Sequence, residues 1–277
     1  MSKPSCYAVF GHPIAHSQSP RIHQCFAAQT GITLSYKTID ATPEALSTTV
    51  HHFFTNEGGH GANVTLPHKA AARALAHECS RTAMRAGCVN VLTLLAGGQL
   101  AAHNTDGSGL ERDLSARHAL QLRGKHLLLL GAGGAARGVA WQLLETGIAS
   151  LTIVNRSPAA ADTLADMIGD VARVGTRCWQ DLATIGPVDI IINATSAGVF
   201  QQSLNLPTTL IGAHTVCYDL AYGASARLFL DWSQAVGARR TLDGLGMLVE
   251  TAADAFELWH GLRPATEPVY QALRSTC

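Results

Sequence analysis

Short runs of consecutive apolar residues, closed by glycine, proline or small polar residues, alternate along this chain with stretches whose apolar positions recur every three or four residues. Cys6 to Phe10 and Leu34 to Ile39 are β-prone runs, while Arg21 to Gln29 and Pro43 to Phe54 carry helical spacing with Pro20 and Pro43 at first-turn positions. Ala62 to Val64 predicts a third strand, and Val89 to Leu95 with Leu100 to Ala102, turning on Gly97-Gly98, predicts a β-hairpin. From about Lys125 the texture changes to Leu127 to Leu130, a glycine cluster, a helical stretch from Ala135 to Leu144, and Leu151 to Val154. Unalternated apolar strands separated by a helix belong to a parallel sheet covered on both faces. Ile190 to Ile192 and Thr215 to Tyr218 continue that sheet, and Leu245 to Trp259 predicts a helix that returns to the first lobe. The expected fold class is α/β in two domains: residues 1–106, completed by helices within 241–277, and a Rossmann-like, doubly wound domain over residues 107–240.

Length agrees, since 277 residues exceed one ordinary core and suit two domains of roughly 100 to 150 residues each. Twenty basic against twenty acidic side chains give a formal net charge of zero, so neither nucleic acid nor an anionic membrane is an expected partner. Apolar residues make up 47% and charged ones 14%, against a usual charged share of about 25%, which suits a packed core and not a disordered chain. No uncharged apolar stretch approaches the ~18 residues of a membrane span, and Met1 to Phe10, with one lysine and two serines, does not read as a secretory leader. The seven cysteines, at 6, 25, 79, 88, 178, 217 and 277, include no C-x-x-C pair, so a reducing cytoplasm is the expected compartment. Thirteen histidines form no H-E-x-x-H and no spaced set with cysteines, so no metal site is expected, and His51-His52 is assigned to a helix face.

Gly131-Ala132-Gly133-Gly134-Ala135-Ala136 directly follows the Leu127 to Leu130 run and satisfies G-x-G-x-x-A at a strand-to-helix turn. Gly131 permits the turn, Gly133 lets a pyrophosphate approach the backbone, and small Ala136 lets helix and strand pack closely. At the end of the next strand a site for NAD would carry an acidic residue; this chain has Asn155-Arg156-Ser157. An amide, a guanidinium fork and a hydroxyl suit a ribose 2′-phosphate, so NADP is preferred over NAD. A solvated strand-end arginine is the alternative reading, because no second basic residue follows before Arg173.

Four further polar clusters sit at predicted strand ends: His16-Ser17-Gln18-Ser19-Pro20, Asn63-Val64-Thr65-Leu66-Pro67-His68-Lys69, Val89-Asn90-Val91 and Asn104-Thr105-Asp106-Gly107. Ser19 before Pro20 fits a helix N-cap as well as a ligand-facing loop. Gly11-His12-Pro13-Ile14-Ala15-His16-Ser17-Gln18-Ser19-Pro20, Gly61-Ala62-Asn63-Val64-Thr65, Asn104-Thr105-Asp106-Gly107, Gly131 to Arg137, Asn193-Ala194-Thr195-Ser196 and Asp243-Gly244-Leu245-Gly246-Met247 run in an order and spacing that resembles the shikimate dehydrogenase family over nearly the whole chain. The resemblance implies a first lobe that binds a hydroxylated cyclohexene carboxylate and a second that binds NADP, with hydride passing across the cleft. It implies that Ser17 and Ser19 hold the substrate carboxylate, that Thr65, Asn90 and Tyr222 orient the ring, and that Lys69 and Asp106 are the catalytic pair. It assigns Gly131, Ala132, Gly133, Gly134, Ala135, Asn155, Arg156, Ser157, Thr195, Ser196, Gly244 and Met247 to the cofactor.

Chemistry asks for such a pair independently. Reducing a ketone by hydride leaves an alkoxide, and a positioned acid beside that oxygen keeps the charge from raising the barrier. Lys69 can donate, and Asp106 can hold the ammonium and a neighbouring hydroxyl of the substrate. The chain also departs from the family pattern. Thr251, preceded by Glu250, stands where a substrate-facing glutamine is usual and is expected to bind the substrate with a water in place of the direct bond. Val91 stands where a threonine is common, and His68 precedes the lysine where another residue is more usual; an imidazolium facing Lys69 would ease its deprotonation. Three readings stay open on this evidence: NADP-dependent interconversion of 3-dehydroshikimate and shikimate, a quinate/shikimate paralogue with relaxed substrate or cofactor choice, and a non-catalytic dinucleotide sensor. Monomer and homodimer are both compatible with the sequence.

Overall fold

The computed structural model describes residues Pro4–Ser275 and resolves two compact units. One comprises residues up to Gly109 together with those from Leu248 onward, and the other Leu110–Met247. Cys277 and the first three residues of the leader reading lie outside the described residues.

The first unit runs β1 (Ser5–Gly11), α1 (Ser19–Thr30), β2 (Leu34–Asp40), α2 (Leu46–Asn56), β3 (Gly59–Val64), β4 (Glu78–Cys79), α3 (Arg81–Ala86), β5 (Val91–Leu94), β6 (Leu100–His103) and the start of α4 (Asp106–Arg112). Its mixed sheet has the order β2-β1-β3-β5-β6-β4; β1 is parallel to both neighbours, whereas β3-β5 and β5-β6 are antiparallel. Side chains alternate across a strand, and on β1 both faces are covered: Ala8 and Phe10 pack with Val50, Phe53 and Ala62, while Tyr7 and Val9 pack with Ile14 and Tyr36. That is why β1 reads as an unbroken apolar run. Gly59 and Gly61 on β3 make room for aromatic rings, since a Cβ at these positions would overlap Phe53 and Trp259 respectively.

Two boundaries differ from the sequence reading. Helix α2 begins at Leu46, so Pro43 lies in the preceding turn and is not a first-turn residue. Ser19 is the first residue of α1 and makes no capping bond from its side chain; Ser17 Oγ accepts the Ser19 N–H instead, at 3.3 Å.

The second unit contains β7 (His126–Leu130), α5 (Gly134–Glu145), β8 (Ser150–Val154), α6 (Pro158–Ile168), β9 (Val174–Arg177), α7 (Leu182–Ile185), β10 (Ile190–Asn193), β11 (Val216–Asp219), α8 (Arg227–Val236) and β12 (Arg240–Asp243). All its strands are parallel in the order β12-β11-β10-β7-β8-β9, a doubly wound sheet that reverses direction at β7. Leu127 and Leu129 face one core and Leu128 and Leu130 the other. The pattern missed β9 and β12 because both are edge strands, which need only partial cover and carry Gly175, Thr176, Arg177, Arg240 and Thr241. The chain ends with α9 (Leu245–His260) and α10 (Glu267–Arg274). Among the described residues no helix is long and apolar enough to cross a membrane.

His23 on α1 is fully buried and lies flat against Tyr36, with ring centroids 4.2 Å apart and planes at 8°. Burial pushes its imidazole down to about 3, only partly offset by Asn63, with His260 adding to the effect. An unfolded chain protonates this ring near about pH 6.5, so stability falls as pH drops below that value, by up to about 1.4 kcal/mol per pH unit until the folded ring also titrates. Urea unfolding from about pH 7 to about pH 4 is expected to show a steeper loss for the wild type than for His23→Phe, which keeps the ring stack; equal slopes would exclude His23 as the source.

Candidate active site

Three loops of the first unit meet around one ion pair. Lys69 follows β3, Asn90 precedes β5, and Asp106 opens α4. Backbone bonds stitch these segments together: Val64 N–H donates to the Asn90 carbonyl at 2.9 Å, Val89 N–H to the Lys69 carbonyl at 2.8 Å, and Asn90 N–H to the His103 carbonyl at 3.0 Å. Lys69 Nζ donates to both oxygens of Asp106, at 2.8 and 2.7 Å, and the two side chains are 15% and 4% exposed.

Asp106 is gripped from several sides. Its N–H donates to Asn104 Oδ1 at 3.0 Å, and Asn104 Nδ2 donates in turn to the Cys88 carbonyl. Asn90 Nδ2 donates to Asp106 Oδ1 at 2.9 Å and to Thr105 Oγ1 at 3.0 Å, while Asn90 Oδ1 accepts the Thr105 N–H at 2.9 Å. Both amide protons of Asn90 are therefore spent inside the protein. The Thr105 hydroxyl reaches the Thr251 carbonyl at 3.3 Å. Asn104 and Thr105 were not among the expected site residues, although the Asn104-Thr105-Asp106 run places an amide and a hydroxyl next to the carboxylate.

A second polar string leads back to α1. Tyr36 Oη donates to Asn63 Oδ1 at 2.7 Å, Asn63 Nδ2 donates to the Asn90 carbonyl at 3.2 Å, and the Ser19 hydroxyl bonds Tyr36. Tyr36, in the middle of a strand, gave no sequence signal beyond its β propensity. Ser19 is thus tied to the ion pair through the protein, and Ser17 is tied to Ser19. Thr65 donates its N–H to the Phe10 carbonyl and packs its methyl group at Gly11.

Other expected positions behave differently. His68 is buried with Nε2 donating to the Ala41 carbonyl at 2.7 Å, so its ring is bound to the β2–α2 connection and not to Lys69. Thr251 donates its hydroxyl back to the Leu248 carbonyl of its own helix at 2.9 Å. Tyr222 lies in the second unit, after β11.

In that unit Gly131 follows β7 with φ +108°, and a Cβ there would sit 3.0 Å from the Ala194 backbone. Glycine is required on both counts. Gly133 has the opposite surroundings, since a Cβ would meet nothing within 4 Å, leaving open space before the first turn of α5. Ala136 is fully buried in the core, as close helix-to-strand packing needs. Asn155 Nδ2 donates to the Ser157 carbonyl at 3.0 Å, and Arg156 and Ser157 are exposed just before α6. This donor set, an open glycine cradle at a helix start and an exposed guanidinium with no carboxylate at the strand end, fits a dinucleotide bearing a 2′-phosphate. Thr195 N–H and Oγ1 both donate to Asn193 Oδ1. Met247 is a core residue, and Gly244 permits close approach to the Leu220 carbonyl.

Comparison with known proteins identifies the family. Residues 9–92 match the shikimate dehydrogenase substrate binding domain, 113–203 the shikimate / quinate 5-dehydrogenase family, and 244–274 the shikimate 5′-dehydrogenase C-terminal domain. The chain is 53% identical over 273 residues to a shikimate dehydrogenase (NADP(+)) of Xanthomonas campestris, covering 98% of this chain and 96% of that protein. The chain belongs to the shikimate dehydrogenase family. Within the family, the solved shikimate 5-dehydrogenase of Thermus thermophilus in complex with NADP(H) and shikimate superposes with a TM-score of 0.82 at 32% identity, covering 99% of this chain and all of that one. An Ael1 enzyme from Pseudomonas putida superposes at 0.87 with 37% identity, covering 97% and 98% of the two chains.

Because Asn90 anchors Thr105 and Asp106 at once, Asn90→Ala strands a buried backbone N–H and is expected to cost about 1–3 kcal/mol of unfolding free energy. Chemical denaturation checks this, and an unchanged midpoint would show that the Asn90 bonds carry no net stability.

Proposed function

We propose that this chain catalyses the reversible, NADP-dependent reduction of 3-dehydroshikimate to shikimate, with Lys69 and Asp106 as its acid-base pair. The observation that carries the reading is the buried Lys69–Asp106 contact held by Asn90. Full exposure to water would favour neither its fixed geometry nor its electrostatic strength. When bound, NADPH supplies the hydride and NADP+ takes it up in the reverse direction. Gly131 to Ala135 would hold its pyrophosphate, Asn155, Arg156 and Ser157 the adenosine ribose with its 2′-phosphate, and Thr195 and Ser196 further parts of the dinucleotide. Gly244 and Met247 act by shaping the packing behind that surface.

Lys69 Nζ, already fixed by two bonds to Asp106, delivers a proton to the substrate oxygen as it becomes an alcohol and removes that proton in the oxidative direction. Asp106 keeps the ammonium aimed and retains lone-pair capacity on Oδ2 for a ring hydroxyl, so it contributes orientation as well as charge. Ser17 and Ser19 supply hydroxyls for the substrate carboxylate, and Thr65 and Tyr222 further contacts to the ring. Asn90, with both amide protons engaged, acts mainly by positioning Asp106 and can offer the substrate only its remaining acceptor capacity. A second reading, oxidation of quinate alongside shikimate, rests on Thr251, whose hydroxyl is turned onto its own helix and reaches less far than the usual glutamine.

Nicotinamide absorbance with shikimate or quinate, each with NADP+ or NAD+, tests the assignment; turnover is expected with shikimate and NADP+, and none with either acid would refute it. Lys69→Ala is expected to lower kcat by on the order of a hundredfold or more with little change in NADP+ affinity. Arg156→Ala is expected to raise the KM for NADPH and leave that for NADH nearly unchanged; equal effects on both cofactors would remove Arg156 from the 2′-phosphate site.

A further inference from the structure

Beyond the glycine turn, the second unit holds a short relay of buried polar groups whose direction is fixed by two backbone amides. At one end, Ala221 N–H donates to Asp219 Oδ1 at 2.8 Å. Asp219 Oδ2 accepts from Asn193 Nδ2 at 2.8 Å. At the other end, Asn193 Oδ1 accepts both the N–H of Thr195, at 3.1 Å, and its hydroxyl, at 2.8 Å. Asn193 and Asp219 are 2% and 1% exposed, so water does not substitute freely for either partner.

The relay admits one polarity. Each terminal backbone N–H can only donate, so an acceptor oxygen must face it at both ends, and the carboxylate is the one member able to accept on two sides. With Asp219 accepting from both directions, the Asn193 amide must turn its NH2 inward and its oxygen toward Thr195. The segment that follows, Thr195 to Phe200, is also pinned further on. Gly198 lies so close to the Ser225 carbonyl that no Cβ fits there, and Asn193, Asp219, Ala197, Gly198 and Phe229 line one small cavity.

We infer that Asp219 is a positioning residue for the dinucleotide: through the amide orientation of Asn193 it sets the Thr195-Ser196 segment that meets the cofactor, without touching the cofactor itself. The inference rests on the reading that Thr195 and Ser196 face bound NADP. It implies that the ordering of charge and amide along the relay matters less than its alternation. In Asp219→Asn the single remaining oxygen cannot serve Ala221 and Asn193 together, so either Ala221 or Thr195 loses its acceptor. In the exchanged pair Asn193→Asp with Asp219→Asn, the new carboxylate accepts from Thr195 and from the new amide, whose oxygen serves Ala221, and every donor is again satisfied.

Calorimetric titration of NADP+ into the three proteins tests this, with circular dichroism and shikimate binding as controls on folding. Asp219→Asn is expected to weaken NADP+ binding roughly tenfold, the scale of one unmet buried donor, and the exchanged pair to restore most of it. Unchanged affinity in the single variant, or an exchanged pair that folds yet binds no better than the single variant, would overturn the inference while leaving the proposed function standing. Absence of NADP+ binding by the wild type would overturn both. Should the substituted proteins not fold, hydrogen exchange on the wild type decides: the Thr195 amide is expected to be protected without ligand, and rapid exchange there would overturn the relay.

Discussion

The chemistry proposed for this molecule depends on keeping one ammonium and one carboxylate together away from bulk water. A buried ion pair contributes little net stability, because the cost of desolvating two charges offsets most of their attraction. The architecture around Lys69 and Asp106 is built to meet that cost with hydrogen bonds. Asn90 satisfies the carboxylate, Asn104 accepts the Asp106 N–H, and Thr105 holds Asn90 in place, and the loops bearing the pair are stitched to one another through main-chain bonds. Burial then strengthens the electrostatic hold of Asp106 on the ammonium, and the proposed proton donor is fixed before substrate arrives. Such preorganisation is what a carbonyl reduction asks of a protein.

The second unit solves a different problem with the same material. Its central strand carries no catalytic side chain; Leu127 to Leu130 fill both cores and end in a turn where Gly131 abuts the backbone of Ala194. Shape and backbone amides, not side-chain charge, make the cradle at Gly133. In the proposed reading, selectivity is left to Arg156, one exposed side chain at the edge. The buried polar groups of this unit, Asp219 with Asn193 among them, serve to orient loops.

Much of this was legible in the sequence where one residue type has one physical use. The glycine turn was readable because Gly131 needs a positive φ and Ala136 must be small, and the parallel sheet because its central strands are apolar on both faces. Lys69 and Asp106 were readable as a pair through the family motifs, while the geometry that joins them came only from the fold. The edge strands Val174–Arg177 and Arg240–Asp243 were not readable, since half-covered strands carry ordinary polar residues. Tyr36 and Asn63 were missed as members of the site because their partners lie far away in sequence. His68 and Thr251 were placed near the chemistry by position alone; the bonds to Ala41 and Leu248 show where their polar atoms are committed.

The most direct measurement of the central claim is a double-mutant cycle on kcat with Lys69→Met, Asp106→Asn and the two combined. If the ammonium and carboxylate act as one device, each single substitution removes most of the rate and the combined variant is scarcely slower than the worse single one. Losses that simply multiply would mean that the two groups act independently, and that the contact between them is not the basis of the chemistry.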